Sequence, residues 1–147
     1  MNIHQLYNRV KAMDIEQVAV QSVNETKESI ADLNVMQMNR GLRSDGSEIT
    51  PPYAPITREL KAAQGLNPDI VTLHDVGDFN AATYTKVEGL NVITGSTDWK
   101  SAKLERKYSR PRASIFGLSE KYRQEYIGAD LRPVFKRRIT DLTGLRF

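Results

Sequence analysis

The first apolar positions of the chain, Ile3, Leu6, Tyr7 and Val10, recur at i, i+3, i+4 and i+7, which predicts a short helix with one apolar stripe. Asp14 then stands where an N-cap belongs. In the segment that follows, Ile15, Val18, Ser22, Ile30, Leu33 and Gln37 fall near one face of a long second helix, while Glu16, Glu25, Lys27, Glu28 and Asp32 fall elsewhere. Gly41 is placed to end it. The stripe weakens over 21–29, where Ser, Asn, Thr and Lys interrupt it, as expected of a helix that projects, kinks or packs on another subunit.

Periodicity stops at residues 41–57, which hold two glycines, three prolines and Tyr53. Each proline removes a backbone donor and pushes its predecessor out of the α region, so 50–55 is expected to run extended. Ser44-Asp-Gly46 is turn chemistry. A loop of this length is usually functional, and Tyr53 looks exposed. Downstream, Thr57 can cap a helix over 58–64 that stops at Gly65. Ile70-Val-Thr-Leu73 reads as a short strand, and the runs 82–87 and 90–94 read as a hairpin turning at Glu88-Gly89. Asp98 caps a helix whose buried face is expected to carry Trp99, Leu104 and Tyr108. Ser119 opens another helix through Ile127, Gly128-Ala-Asp130 separates it from a last one over 131–142, and Pro133 falls in that helix's first turn.

This order predicts an α+β fold with a small antiparallel sheet. The chain of 147 residues fits one domain. Its expected parts are a helical arm (1–40), the Pro/Gly-rich loop (41–57), an α+β core (58–127) and a basic C-terminal helix and tail (128–147). The longest apolar runs are too short to span a membrane. With no cysteine, disulfides, thiolate zinc sites and thiol catalysis are excluded.

Charge changes the picture more than composition does. Residues 1–98 hold 8 Lys/Arg against 13 Asp/Glu, a balance of −5, and residues 99–147 hold 13 against 5, a balance of +8. A chain so divided can stack against copies of itself, meet an acidic partner or touch nucleic acid. The basic residues form two clusters. Lys100, Lys103, Arg106, Lys107, Arg110 and Arg112 lie with Trp99 and Tyr108, and Arg132, Lys136, Arg137 and Arg138 lie in the last helix, with Arg146 beyond it. The first cluster supports an alternative reading as a nucleic-acid-binding module.

Catalytic inventories are poor. His4 and His74 are the only histidines. His74, Asp75 and Asp78 make a conceivable metal cluster for a hydrolase, but a fourth ligand is missing, and neighbours on a strand point to opposite faces. Neither phosphate-loop motif occurs, and Asp45-Gly46-Ser-Glu48 lacks the carboxylate spacing of a calcium loop. No cofactor, metal or small-molecule substrate is expected, and the chain reads as a non-enzyme.

Several short motifs occur in a common order over residues 36–130. They are Gly41-Leu-Arg-Ser-Asp-Gly46-Ser-Glu-Ile, Pro52-Tyr-x-Pro-x-Thr57, Val71-Thr-Leu73 followed by Gly77-Asp-Phe79, Ser96-Thr-Asp98-x-Lys100, and Ile115-Phe-Gly-Leu118. In that order the chain resembles the tail-completion or head–tail connector (neck ring) proteins of tailed bacteriophages, and its size resembles that of neck ring proteins of crAss-like phages. The resemblance implies a structural virion protein without a catalytic site. Such a protein is assembled in the host cytoplasm and present in several copies as a ring at the head–tail junction, with portal and other neck or tail proteins as partners and packaged DNA as a further contact. The basic end after Ile127 departs from the family pattern. On this reading Tyr53 is an anchor flanked by Pro52 and Pro55, and Arg132, Lys136, Arg137, Arg138 and Arg146 make further protein contacts.

Overall fold

The computed structural model describes residues 1–73 and 77–147. Helix α1, Ile3–Ala12, starts from a reciprocal cap in which the Asn2 side chain accepts from the Gln5 N–H at 2.9 Å and the Gln5 side chain accepts from the Asn2 N–H at 3.0 Å. Helix α2, Ile15–Asn39, runs without a break for 25 residues, roughly 37 Å. Asp14 caps it as expected, accepting from the Gln17 N–H at 3.0 Å. At its far end Gly41 takes a left-handed φ of 71°, and a side chain there would strike Ile70, so only glycine fits. Val18, Ser22, Ile30, Leu33 and Gln37 are buried as the stripe predicts, joined by Ala31, Asn34 and Met38, whereas Ile15 is exposed.

Helix α3, Pro55–Ala63, begins three residues before the expected start. Pro55 occupies the first turn, where its missing N–H costs nothing and its fixed φ is already helical, so it opens a helix instead of extending the loop. The expected strand at Ile70–Leu73 does not form. Val71 and Leu73 are buried and Thr72 is half-buried, which keeps the alternation of a strand, but among the described residues no strand pairs with them and Leu73 turns out of the β region with φ 58°. Helix α4, Asp78–Ala81, leads into the hairpin β1, Thr83–Glu88, and β2, Asn91–Ser96. Pairing runs from Thr83 with Ser96 to Glu88 with Asn91, so the loop is Gly89-Leu90, one residue later than expected. Gly89 carries φ 59°, and a two-residue hairpin loop takes such a residue at its first position, which sets the register.

Helix α5, Ser101–Tyr108, follows a turn in which Asp98 Oδ1 accepts from the Lys100 N–H at 2.8 Å. Helix α6, Glu120–Tyr126, does not stop at Gly128. A π-helical turn, Ile127–Leu131, carries the chain directly into helix α7, Arg132–Thr143. Pro133 has no N–H to bond into the preceding turn, and the wider π turn lets the helix continue past it.

The fold is therefore α+β: a two-stranded antiparallel sheet lies along α2, and α6 and α7 pack on the same helix. Two apolar clusters share α2. Met38 belongs to one with Ile49, Val71, Leu73, Phe79, Tyr108 and Ile115, while Ile30 and Leu33 form the other with Tyr122 and Tyr126. Among the described residues no helix is long and apolar enough to cross a membrane.

Candidate functional site

The loop 41–57 is organised from inside by one cation. Arg43 is 3% exposed and its guanidinium donates to the Tyr108 carbonyl at 2.6 Å, the Glu48 carbonyl, the Thr50 carbonyl at 2.9 Å, Ser47 Oγ at 3.3 Å and Thr50 Oγ1 at 3.0 Å. A planar fork of donors can bridge three carbonyls at once. Burial, and then the nearby Arg110 charge, pull its pKa below the ordinary arginine value. The tip of the loop is the expected turn: Asp45 Oδ1 accepts from the Ser47 N–H at 2.9 Å and hydroxyl at 2.6 Å, which also holds the Asp45 pKa below its usual value.

Tyr53 faces inward, against the expectation of an exposed ring. It is half-buried against the first cluster, and its hydroxyl accepts from the Thr72 N–H at 3.1 Å and the Leu73 N–H at 3.2 Å. One hydroxyl thus satisfies two successive backbone N–H groups, which ties the loop to the segment 71–73. Pro52 and Pro55 stay exposed, with Ile56 and Leu60 beside them on α3.

Two buried amides on α2 clamp the segment 115–119. Gln37 donates to the Gly117 carbonyl at 2.8 Å and accepts from the Ser119 N–H at 2.7 Å, while Asn34 donates to the Ile115 carbonyl at 3.2 Å and accepts from the Gly117 N–H at 3.2 Å. Ser44 N–H donates to the Ser114 carbonyl at 2.8 Å. The Gly41–Ile49 turn, Tyr53, Val71 to Leu73, Phe79 and Ile115 to Leu118 thus meet around the end of α2. Motifs far apart in sequence form one structural knot, in which Phe79 and Phe116 pack with ring centroids 5.9 Å apart.

The C-terminal basic set divides. Arg137 and Arg138 reach back to Glu25 in the polar middle of α2, at 2.5 and 2.7 Å, and Arg138 also donates to Gln21 at 3.2 Å. The Arg137 hydrogen bond chiefly, with Arg138 adding to it, holds the Glu25 carboxyl below its ordinary pKa. These two arginines are occupied within the chain. Arg132, Lys136 and Arg146 remain exposed, Lys136 lying over the Phe147 ring at 5.7 Å. Among the described residues no hydrogen bond or ion pair joins this set to the loop set around Tyr53.

On α5 the expectation for Trp99 is corrected. Leu104 and Tyr108 face the core, but Trp99 is 84% exposed. Trp99 stands in the turn at Asp98, before the first residue of the helix, so it does not share the face of Leu104 and Tyr108. Beneath this helix Tyr53, Lys61, Asp78, Phe79, Lys100 and Tyr108 line a cavity of about 280 Å³, near the lower bound for ligand pockets, roughly 300 Å³. Lys61 is buried there, its ammonium 5.3 Å from the Tyr53 ring centroid. Of the candidate metal ligands, His74 and Asp75 lie outside the described residues, and Asp78 is exposed. Among the described residues no three His, Asp or Glu side chains are grouped to hold a metal.

Sequence reasoning missed Arg43 as a hub and α1 as an exposed surface. Helix α1 buries none of its residues. Ile3 is 86% exposed, and Tyr7, Val10 and, beyond the helix, Ile15 are exposed with it. No family model matches the chain, and neither the curated proteins nor the solved structures contain a match.

Proposed function

We propose that this chain is a non-enzymatic structural subunit of the head–tail junction of a tailed phage, assembled in the host cytoplasm, which associates with copies of itself into a ring between portal and tail. The observation that carries this reading is α1. The helix is amphipathic and capped, and it runs beside α7 with Leu6 half-buried, yet Ile3, Tyr7 and Val10 of its apolar stripe stay exposed in the single chain. Large apolar side chains on an ordered helix lose free energy by facing water, about 1.5–3 kcal/mol for each Ile, Val or Leu relative to burial. An adjacent subunit is the cover that the ring reading supplies. A chain with −5 and +8 segments suits the heterologous contacts of a ring, where one surface meets a different surface of the next copy.

The knot of motifs at the end of α2 supports the same reading in another way. It makes residues 41–57 a stiff arm, stitched down by Arg43 and Tyr53, whose outward side is Pro52, Pro55 and Ile56, continued on α3 by Leu60. A pre-ordered apolar edge binds with little further loss of conformational freedom. Tyr53 supports that edge from below. The test is the mass of the purified protein in solution, alone and mixed with portal and tail components. A multiple of 16.6 kDa is expected; a strict monomer at all concentrations that joins no particle overturns the proposal.

A further inference from the structure

We propose that the exposed face of α5 is a sequence-independent binding site for the sugar–phosphate backbone of nucleic acid, with Trp99 as an aromatic platform at one end. At 100° per residue, Lys103, Arg106 and Lys107 fall within roughly one third of the helix circumference, away from Leu104 and Tyr108, and Trp99 stands in the turn that leads into the helix. Arg110 continues the line past the helix end. All five are exposed, and the Lys107 ammonium lies 5.1 Å from the ring centroid of the buried Tyr108. Lys100 lies beside the platform, its ammonium 5.8 Å from the Trp99 ring. Among the described residues none of these basic side chains forms an ion pair with a carboxylate, whereas Arg58, Lys86, Arg123, Arg137 and Arg138 each have one.

The occupant follows from charge and shape. Lys103, Arg106 and Lys107 on a helix of 8 residues, about 12 Å long, match a run of successive phosphates and have no carboxylate partner among the described residues, while Arg110, just past the helix end, also donates to the Thr50 carbonyl at 3.4 Å and hydroxyl at 3.2 Å. An indole standing 84% clear of the protein is a surface on which any base or sugar can stack, because every base has a π-face. A nearby turn holds the row in place: Arg110 and Ala113 exchange backbone hydrogen bonds at 2.9 Å each, and the exposed Arg112 between them adopts φ 65°. The site does not depend on the ring reading, since it lies within one chain.

The experiment uses the whole chain and fluorescently labelled oligonucleotides of random sequence, one single-stranded and one duplex, with anisotropy as the readout. With four phosphate contacts, affinity should fall on the order of a hundredfold between about 50 and 200 mM salt. The exposed pair Lys103→Glu and Arg106→Glu should weaken binding at least tenfold at low salt and flatten the salt dependence, while the same reversal at Arg132→Glu changes it less than about twofold. Trp99 is the only tryptophan, so quenching of its emission reports contact directly. If Trp99→Ala weakens only the single-stranded arm, stacking on bases is shown; if it weakens neither arm while the charge reversals weaken both, the row of cations alone is the site. Absence of binding at low salt overturns the proposal and points to an acidic protein partner for this face. Equal loss from Arg132→Glu overturns it too, since net charge and not this face would then drive binding.

Discussion

Arg43 carries a full positive charge into the interior, and what it meets there, among the described residues, is carbonyl and hydroxyl oxygen only. Hydrogen bonds to a charged donor are each worth about 1.5–3 kcal/mol, and removing the donor leaves buried carbonyls unsatisfied. Arg43→Ala should therefore lower the unfolding free energy by about 3–5 kcal/mol, measured by urea denaturation. Arg43→Lys should recover less than half of that, because one ammonium cannot span the Tyr108, Glu48 and Thr50 carbonyls together. A loss below about 1 kcal/mol would show that Tyr53 and the Asn34 and Gln37 amides hold the loop without it. Tyr53→Phe, which removes the acceptor of two backbone N–H groups but keeps the ring, should cost about 1 kcal/mol by the same measurement. Neither role was legible in the sequence. An arginine beside Ser-Asp-Gly has the composition of a solvated turn, and only the fold shows that the turn closes over it. Tyr53 among prolines has the composition of an exposed tip, and its inward course depends on the Val71 to Leu73 segment, which is remote in sequence. Trp99 differs from both, since it stands in the turn before Ser101 and is not on the helix that buries Leu104 and Tyr108.

At the scale of elements, local chemistry was legible where one residue decides a conformation. Asp14 at the start of α2, Gly41 at its end, the Asp45 turn and the existence of the hairpin all belong to this kind. Elements that depend on a distant partner were not legible: the run Ile70–Leu73 has strand composition but, among the described residues, no strand paired with it, and the Gly128 break is absorbed by a π turn. The weak middle of α2 is explained by α7. Where the apolar stripe lapses, Gln21 and Glu25 take Arg137 and Arg138, and Thr26 meets the Tyr126 hydroxyl at 2.7 Å. This seam should respond to pH with a definite sign. The Glu25 pKa is lower in the folded chain than its ordinary value of 4.5, so the unfolded chain binds the proton more readily in acid. The contribution of the pairs is then complete above the ordinary value and fades as pH falls through the lowered one. Hydrogen exchange, corrected for intrinsic rates, should show α7 losing protection from about pH 5 to pH 3. In Glu25→Gln that protection should already be reduced at neutral pH and should change little over the same range. Identical profiles for both proteins would mean that apolar packing of Ile127, Leu131 and Phe135 on α2 holds α7 alone.

For the whole molecule, two clusters and the Arg43 knot make a chain that is well fastened around the end of α2, while its N-terminal helix, lying beside α7, keeps Ile3, Tyr7 and Val10 in solvent. The α+β class and the amphipathic pattern of α1 were legible. Its exposure was not, because a helical stripe in sequence says that a helix wants a partner without saying whether that partner is in the same chain. The consequence is a separation that can be measured. Ile3, Tyr7 and Val10 are all exposed, so replacing the three together by serine should change the unfolding free energy of one chain little, roughly 0.5 kcal/mol per site or less. The same change removes the apolar surface that an adjacent copy would cover. Light scattering should then give 16.6 kDa for the triple variant under conditions where the parent chain gives a multiple of it. The parent assembly should also persist near 1 M salt, where the Debye length shrinks to about 3 Å and contacts between exposed charges are screened. A triple variant that assembles like the parent would move the contact to the Pro52, Pro55, Ile56 and Leu60 edge. Dissociation of the parent by salt would instead assign association to the opposed charges of the two segments, with α1 as a bystander.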